Sequence, residues 1–103
     1  MNRYGLFGKL QAHPGQGDAL AGLLLGSGGS AMPGCELYVI NRSPEDPDAI
    51  WVYEVWTSRE AHAASLELEP VRDTIQLAMP LIAGFSDRVE LLPVGGQGLP
   101  REA

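Results

Sequence analysis

A chain of 103 residues, 45% hydrophobic and 19% charged, has enough apolar side chains for one modest core and argues against both disorder and a second domain. Its net charge of −6 arises from 7 basic and 13 acidic residues, and the basic ones (Arg3, Lys9, Arg42, Arg59, Arg72, Arg88 and Arg101) are scattered singly. Without a basic cluster, nucleic acid and anionic membrane surfaces are disfavoured as partners.

Residues 3–12 alternate loosely, with Tyr4, Leu6 and Leu10 on one parity and Arg3, Phe7 and Lys9 on the other. That pattern predicts a strand half buried on each side. His13-Pro14-Gly15-Gln16-Gly17 breaks it. Asp18 is placed to cap a helix over residues 19–26, in which Leu20, Leu23 and Leu24 share a face. The Gly/Ser run 26–30 ends that helix and reads as a mobile loop.

Pro33-Gly34 predicts a turn, and Cys35 to Asn41 a second strand of β-branched and aromatic residues. After a polar turn at 43–48 comes AIWVYEVW, residues 49–56, the strongest strand pattern in the chain. Being nearly all apolar, it is expected to be central and covered on both faces. Ser58 can cap a helical segment over 59–69. Pro70 suits the first turn of a fresh helix, along which Val71, Ile75, Ala78 and Ile82 recur at helical spacing. Pro80 ends or kinks it. Gly84 releases a last strand over 85–94, and residues 95–103 form a tail expected to fray.

The order β-α-β-β-α-β is the ferredoxin-like arrangement, an α+β fold with both helices on one face of an antiparallel four-stranded sheet. One domain spans 1–94. The uncovered sheet face invites a second copy of the chain. The lone cysteine, Cys35, cannot form an internal disulfide, and no CxxC or Cys/His cluster predicts a metal site. The opening MNRYGLFGKL lacks the apolar core of a signal peptide, and no run approaches the ~20 residues that span a bilayer. A cytoplasmic location is expected.

Four segments carry a resemblance. They are Pro14-Gly15-Gln16, Pro33-Gly34-Cys35 with Tyr38, EVWTSREAHAASL from Glu54 to Leu66, and Pro80-Leu81-Ile82. Over roughly residues 3–94 the chain resembles the antibiotic-biosynthesis-monooxygenase family. The resemblance implies a homodimer closing an α+β barrel, with a pocket in each subunit between sheet and helices. Some relatives oxidise polycyclic phenols or quinols with molecular oxygen, using no metal or flavin. Haem-degrading relatives carry a tryptophan and a histidine at places that fall near Ser65 and Ile75 here, and neither residue can do that work.

The resemblance thus implies a cofactor-independent monooxygenase for an aromatic, phenolic or quinol-like small molecule. The same fold also admits a non-catalytic ligand-binding module or a lactone-type isomerase. Trp56 can stack on a flat ligand or simply fill the core. His62 suits proton transfer at neutral pH. These two are the candidate catalytic residues. Glu54 shares strand parity with Trp56 and is either a base with a raised pKa or the partner of Arg3 or Arg88 in a structural ion pair across the sheet or the dimer seam. Tyr38 and Tyr53 are candidate pocket walls that can orient a phenol or quinone oxygen. His13 reads as exposed and Cys35 as a small packing residue. Pro14-Gly15-Gln16-Gly17 lacks the spacing of a nucleotide loop.

Overall fold

A computed structural model describes residues 3–28 and 32–99. The strands are β1 (Tyr4–Ala12), β2 (Cys35–Arg42), β3 (Ala49–Trp56) and β4 (Ile82–Leu91), and the helices α1 (Gly17–Gly28), α2 (Arg59–Ser65) and α3 (Glu69–Ala78). All strand pairs are antiparallel, in the spatial order β2-β3-β1-β4. This is the expected ferredoxin-like sheet, with the second helical region split in two. Among the described residues no helix is long and apolar enough to cross a membrane.

β3 pairs on both edges, as its apolar run required. It is fully covered only at its ends, however, where Ala49, Ile50, Val55 and Trp56 are buried. Trp51 to Glu54 are part exposed, because one face of the strand's middle borders a cavity and the other is bare. The main core, Ala12, Leu20, Ile50 and Ala78, lies at one end of the sheet, where α1 and α3 meet it. Trp56 and Tyr4 are buried at the other end, paired with each other across β1 and β3. The helix-side space between these two ends holds the candidate site.

Several boundaries differ from expectation, each for a local reason. The helix α1 starts at Gly17, so Asp18 is not its cap. The capping acceptor is Asp48, whose carboxylate takes hydrogen bonds from the Gly15 amide at 3.1 Å and the Gly17 amide at 2.9 Å. Asp18 instead pairs with Arg42. Gly17 is obligatory, since a Cβ there would lie 2.0 Å from the Pro47 carbonyl oxygen. The helix continues to Gly28, two residues past the expected end, and the rest of the expected loop, 29–30, lies outside the described residues. Ser58 does cap α2, its Oγ accepting from the Ala61 amide at 3.0 Å. Pro70 falls in the first turn of α3, and Pro80 in the single 3₁₀ turn Met79–Leu81 that ends it.

β4 begins at Ile82 and ends at Leu91, earlier at both ends than the expected 85–94. It carries an extra residue. Lys9 pairs with Ser86 and Phe7 with Val89, so Gly8 faces both Asp87 and Arg88. Asp87 takes the strain of this bulge with φ of 55°. Within the expected frayed tail, residues 96–99 form a tight turn with a Leu99 amide to Gly96 carbonyl bond of 3.1 Å, and Leu99 is buried. Residues 100–103 lie outside the described region.

The sheet face away from the helices carries Phe7 stacked on Trp51, with ring centroids 5.4 Å apart, and Tyr53 edge-on to Phe7 at 6.2 Å. Val39, Val89 and Leu91 are exposed on this same face.

Candidate functional site

Strand alternation sends Val52, Glu54 and Trp56 toward the helices. The buried Trp56 indole Nε1 donates to Glu54 Oε1 at 3.0 Å. The Ser58 cap starts α2 immediately after β3, and one turn in it delivers His62 over the same spot. The His62 ring lies 5.4 Å from the Trp56 ring, edge-on at 69°, and 5.4 Å from Tyr4, tilted at 42°. Its Nε2 is 3.9 Å from Glu54 Oε1.

These residues close one end of a cavity of about 290 Å³, near the lower end of the ~300–1,000 Å³ range of small-molecule sites. Tyr38 and Leu10 line its sheet side, and Val71, Ile75 and Ala78 of α3 its helix side. The wall is largely apolar, with a carboxyl from Glu54, an imidazole from His62 and a phenol from Tyr38. Around it stand Leu66, Ile75, Met79 and Phe85, all exposed. A second chamber of about 200 Å³ adjoins it and shares Tyr38, Glu54 and Phe85 as walls.

Burial sets the charge states. It raises the pKa of Glu54 above the ordinary carboxylate value, opposed by the Trp56 hydrogen bond and the Arg88 charge. It lowers that of His62, with Arg88 and Arg59 adding to the effect. Both shifts favour neutral forms. His62 Nε2 lies 3.9 Å from Glu54 Oε1, which is too long for a hydrogen bond, and the desolvation of both groups weakens the case for an ion pair between them. Within one chain, the ion pairs considered for Glu54 across the sheet do not form among the described residues. Arg3 Nε instead donates to Glu36 Oε1 at 2.9 Å, and Arg88 makes no salt bridge among the described residues.

The cavity therefore gathers Tyr38, Glu54, Trp56 and His62. Tyr53 stands on the opposite sheet face against Phe7 and does not line it. His13 is exposed in the β1–α1 turn. Burial, followed by the Glu54 charge, raises the pKa of Cys35, so nothing activates its thiol. Among the described residues no three His, Cys, Asp or Glu side chains are grouped to hold a metal ion.

A clamp behind His62 escaped the sequence reading. The Tyr4 hydroxyl donates to Glu90 Oε2 at 2.6 Å, and Arg59 Nη1 reaches the same oxygen at 2.9 Å. The Arg59 guanidinium also covers the Tyr4 ring at 4.8 Å. The clamp ties α2 to β1 and β4 and fixes the ring against which His62 rests. Those two hydrogen bonds hold the Glu90 pKa down, while burial and the Glu90 bond raise that of Tyr4. Its only sequence signal was the helix-side parity of Tyr4, because Glu90 comes alongside through β4 pairing.

An antiparallel ferredoxin-like sheet with a helix-covered apolar cavity, acid and imidazole at one end, describes a class of small α+β ligand-handling proteins. The chain matches the family model of antibiotic biosynthesis monooxygenases over residues 3–77, and it belongs to that family. It is similar to a crystal structure from Chloroflexus aurantiacus, itself assigned to the family provisionally, at 52% identity and a TM-score of 0.89, covering 94% of this chain and 98% of that one. A provisionally assigned structure from Caulobacter crescentus shares the fold at 20% identity and a TM-score of 0.81, covering 90% and 91%. Another from Nitrosomonas europaea does so at 19% identity and 0.76, covering 89% and 90%. No curated protein matches the chain.

Proposed function

We propose that this protein is a monooxygenase that oxidises a phenolic or quinol-like aromatic molecule with molecular oxygen, without a metal or flavin. The observation that carries the reading is an imidazole, its pKa lowered by burial, set edge-on to a tryptophan ring in the wall of a largely apolar cavity. The family name and the names given to its structural relatives support it.

In this reading the aromatic body lies in the chamber against Trp56 and the α3 side chains, shielded from bulk water. His62, uncharged through burial, accepts a proton from the ligand hydroxyl. The resulting electron-rich ring reacts with oxygen. One oxygen atom enters the ring and the other leaves as water, so a quinol plus dioxygen gives a hydroxyquinone plus water and no outside reductant is needed. Glu54 and Tyr38 orient the ligand oxygens. A second copy of the chain covers the bare face at Phe7, Trp51, Val39 and Val89, making a homodimer.

One observation favours a second reading, a non-catalytic binding module. His62 receives no hydrogen bond from Glu54, so the carboxyl does not orient the imidazole as a catalytic partner would. Oxygen uptake separates the two readings. With a naphthohydroquinone, the purified protein is expected to consume oxygen above the spontaneous rate, and His62→Ala and Trp56→Ala are each expected to lower that excess at least ~100-fold. Ligand binding with no excess uptake would establish the binding module instead.

A further inference from the structure

The second chamber is unused by the reading above. Its walls include Leu6, Val52, Phe85 and Arg88, and it meets the first chamber at Tyr38 and Glu54. Arg88 reaches it through the β4 bulge. Phe85 pairs with Leu10 on the helix side. Plain alternation from Phe85 would put Asp87 on that side and Arg88 on the bare side. The extra residue shifts the phase, so Arg88 and Glu90 fall on the helix side with Phe85. Gly8 lies opposite, and a Cβ there would make only ordinary contacts, 3.5 Å from Arg88 Cα and 3.9 Å from Arg88 Cβ, so the placement of Arg88 follows from the bulge itself.

The clamp occupies Glu90 with Tyr4 and Arg59. The Arg88 side chain makes no hydrogen bond or salt bridge among the described residues. A guanidinium presents five donors in a fork that suits carboxylate geometry, and here it lines a largely apolar chamber that opens beside the candidate reaction site.

We propose that the second chamber is a subsite for a carboxylate carried by the aromatic ligand, held by the Arg88 guanidinium. The ligand is then two-part, with an apolar hydroxylated ring system in the first chamber and an anionic arm in the second. This deepens, and rests on, the reading that the first chamber takes a phenol or quinol. Burial favours the neutral form of Glu54 at the junction, which lowers its repulsion of such an arm. The Arg88 charge also acts on Glu54 and His62, so a bound anion would relieve its pressure on both.

The test compares dissociation constants for naphthohydroquinone and its ring carboxylate, measured anaerobically so that no turnover intervenes. The full-length protein should bind the carboxylate about tenfold more tightly at low salt, the scale of a charge-assisted hydrogen bond. Arg88→Gln should reduce that ratio to about one. Arg72→Gln, an exposed change on α3, should leave it in place. Rising salt should shrink the ratio in the unaltered protein, as an accessible ion pair requires. Equal affinities in the unaltered protein, or a ratio that survives Arg88→Gln, would overturn the subsite while leaving the first chamber's role intact. Failure of both ligands to bind would remove the functional reading and the subsite with it.

Discussion

Glu54 is the residue on which the chemistry of the cavity turns. Its side chain is 16% exposed and that of His62 17%, so each is desolvated but within reach of a ligand. A buried carboxyl with a raised pKa keeps its proton in the folded state over a range where the unfolded chain has lost it. Folding stability from this group is therefore present below the usual value of 4.5 and is lost as pH rises through the raised folded value. His62 acts in the opposite sense. Its lowered pKa means that stability present above 6.5 is lost as pH falls below it. Glu54→Gln isolates the first effect. Relative to this variant, the unaltered protein should lose melting temperature as pH climbs from 4.5. A difference that stays flat with pH would mean that Glu54 is not desolvated as described.

Residue-scale legibility was uneven for reasons that lie in strand geometry. Glu54 and Trp56 are two apart on β3, and a strand repeats every two residues, so their shared face was readable. The same rule puts Tyr53, one residue from Glu54, on the far face, and naming it as a pocket wall set aside the strand's own alternation. His62 was readable because Ser58 fixes where α2 begins. Asp48 was not, since it caps a helix that begins 31 residues before it, at Gly17, and nothing local to Asp18 or Asp48 reveals the pairing.

At the scale of elements, the β4 bulge is the least legible feature and the one with the largest consequence for the site. Apolar alternation around residue 87 gives no sign of an inserted residue, and Asp, unlike Gly, does not announce a left-handed backbone. Yet Asp87 at φ of 55° sets which face Arg88 and Glu90 occupy. Asp tolerates this conformation better than most residues, and Gly adopts it freely. Asp87→Gly should leave stability within about 0.5 kcal/mol of its starting value or raise it slightly. Asp87→Val should cost about 1–2 kcal/mol, read from chemical denaturation. A neutral Val substitution would show that the bulge relaxes without strain and that the placement of Arg88 is not held by it. The β3–α2 junction was far more legible, because an apolar strand, a serine cap and a helix-forming run follow one another directly.

For the whole molecule, the order of elements was legible throughout, since the apolar patterns mark the elements and the breaks carry Pro, Gly or, between β3 and α2, the capping Ser58. What the order could not reveal is how the sheet divides its two faces. The helix side holds a core at one end and a cavity at its middle, and the other side carries Phe7, Trp51, Tyr53 and exposed valines. That bare face carries the proposed dimer. Placing a charge on it with Val89→Arg should convert a dimer into a monomer in sedimentation equilibrium without lowering helix content. A monomer before the substitution would contradict the proposed pairing.

The central claim is that the cavity does oxygen chemistry on an aromatic ligand, and the most direct measurement is the stoichiometry of dioxygen uptake with naphthohydroquinone, with product mass determined in labelled oxygen gas. One dioxygen should be consumed per quinol and one labelled oxygen atom should appear in the hydroxyquinone product, with both signals lost in His62→Ala. A product without label, or uptake that His62→Ala leaves unchanged, would contradict the claim.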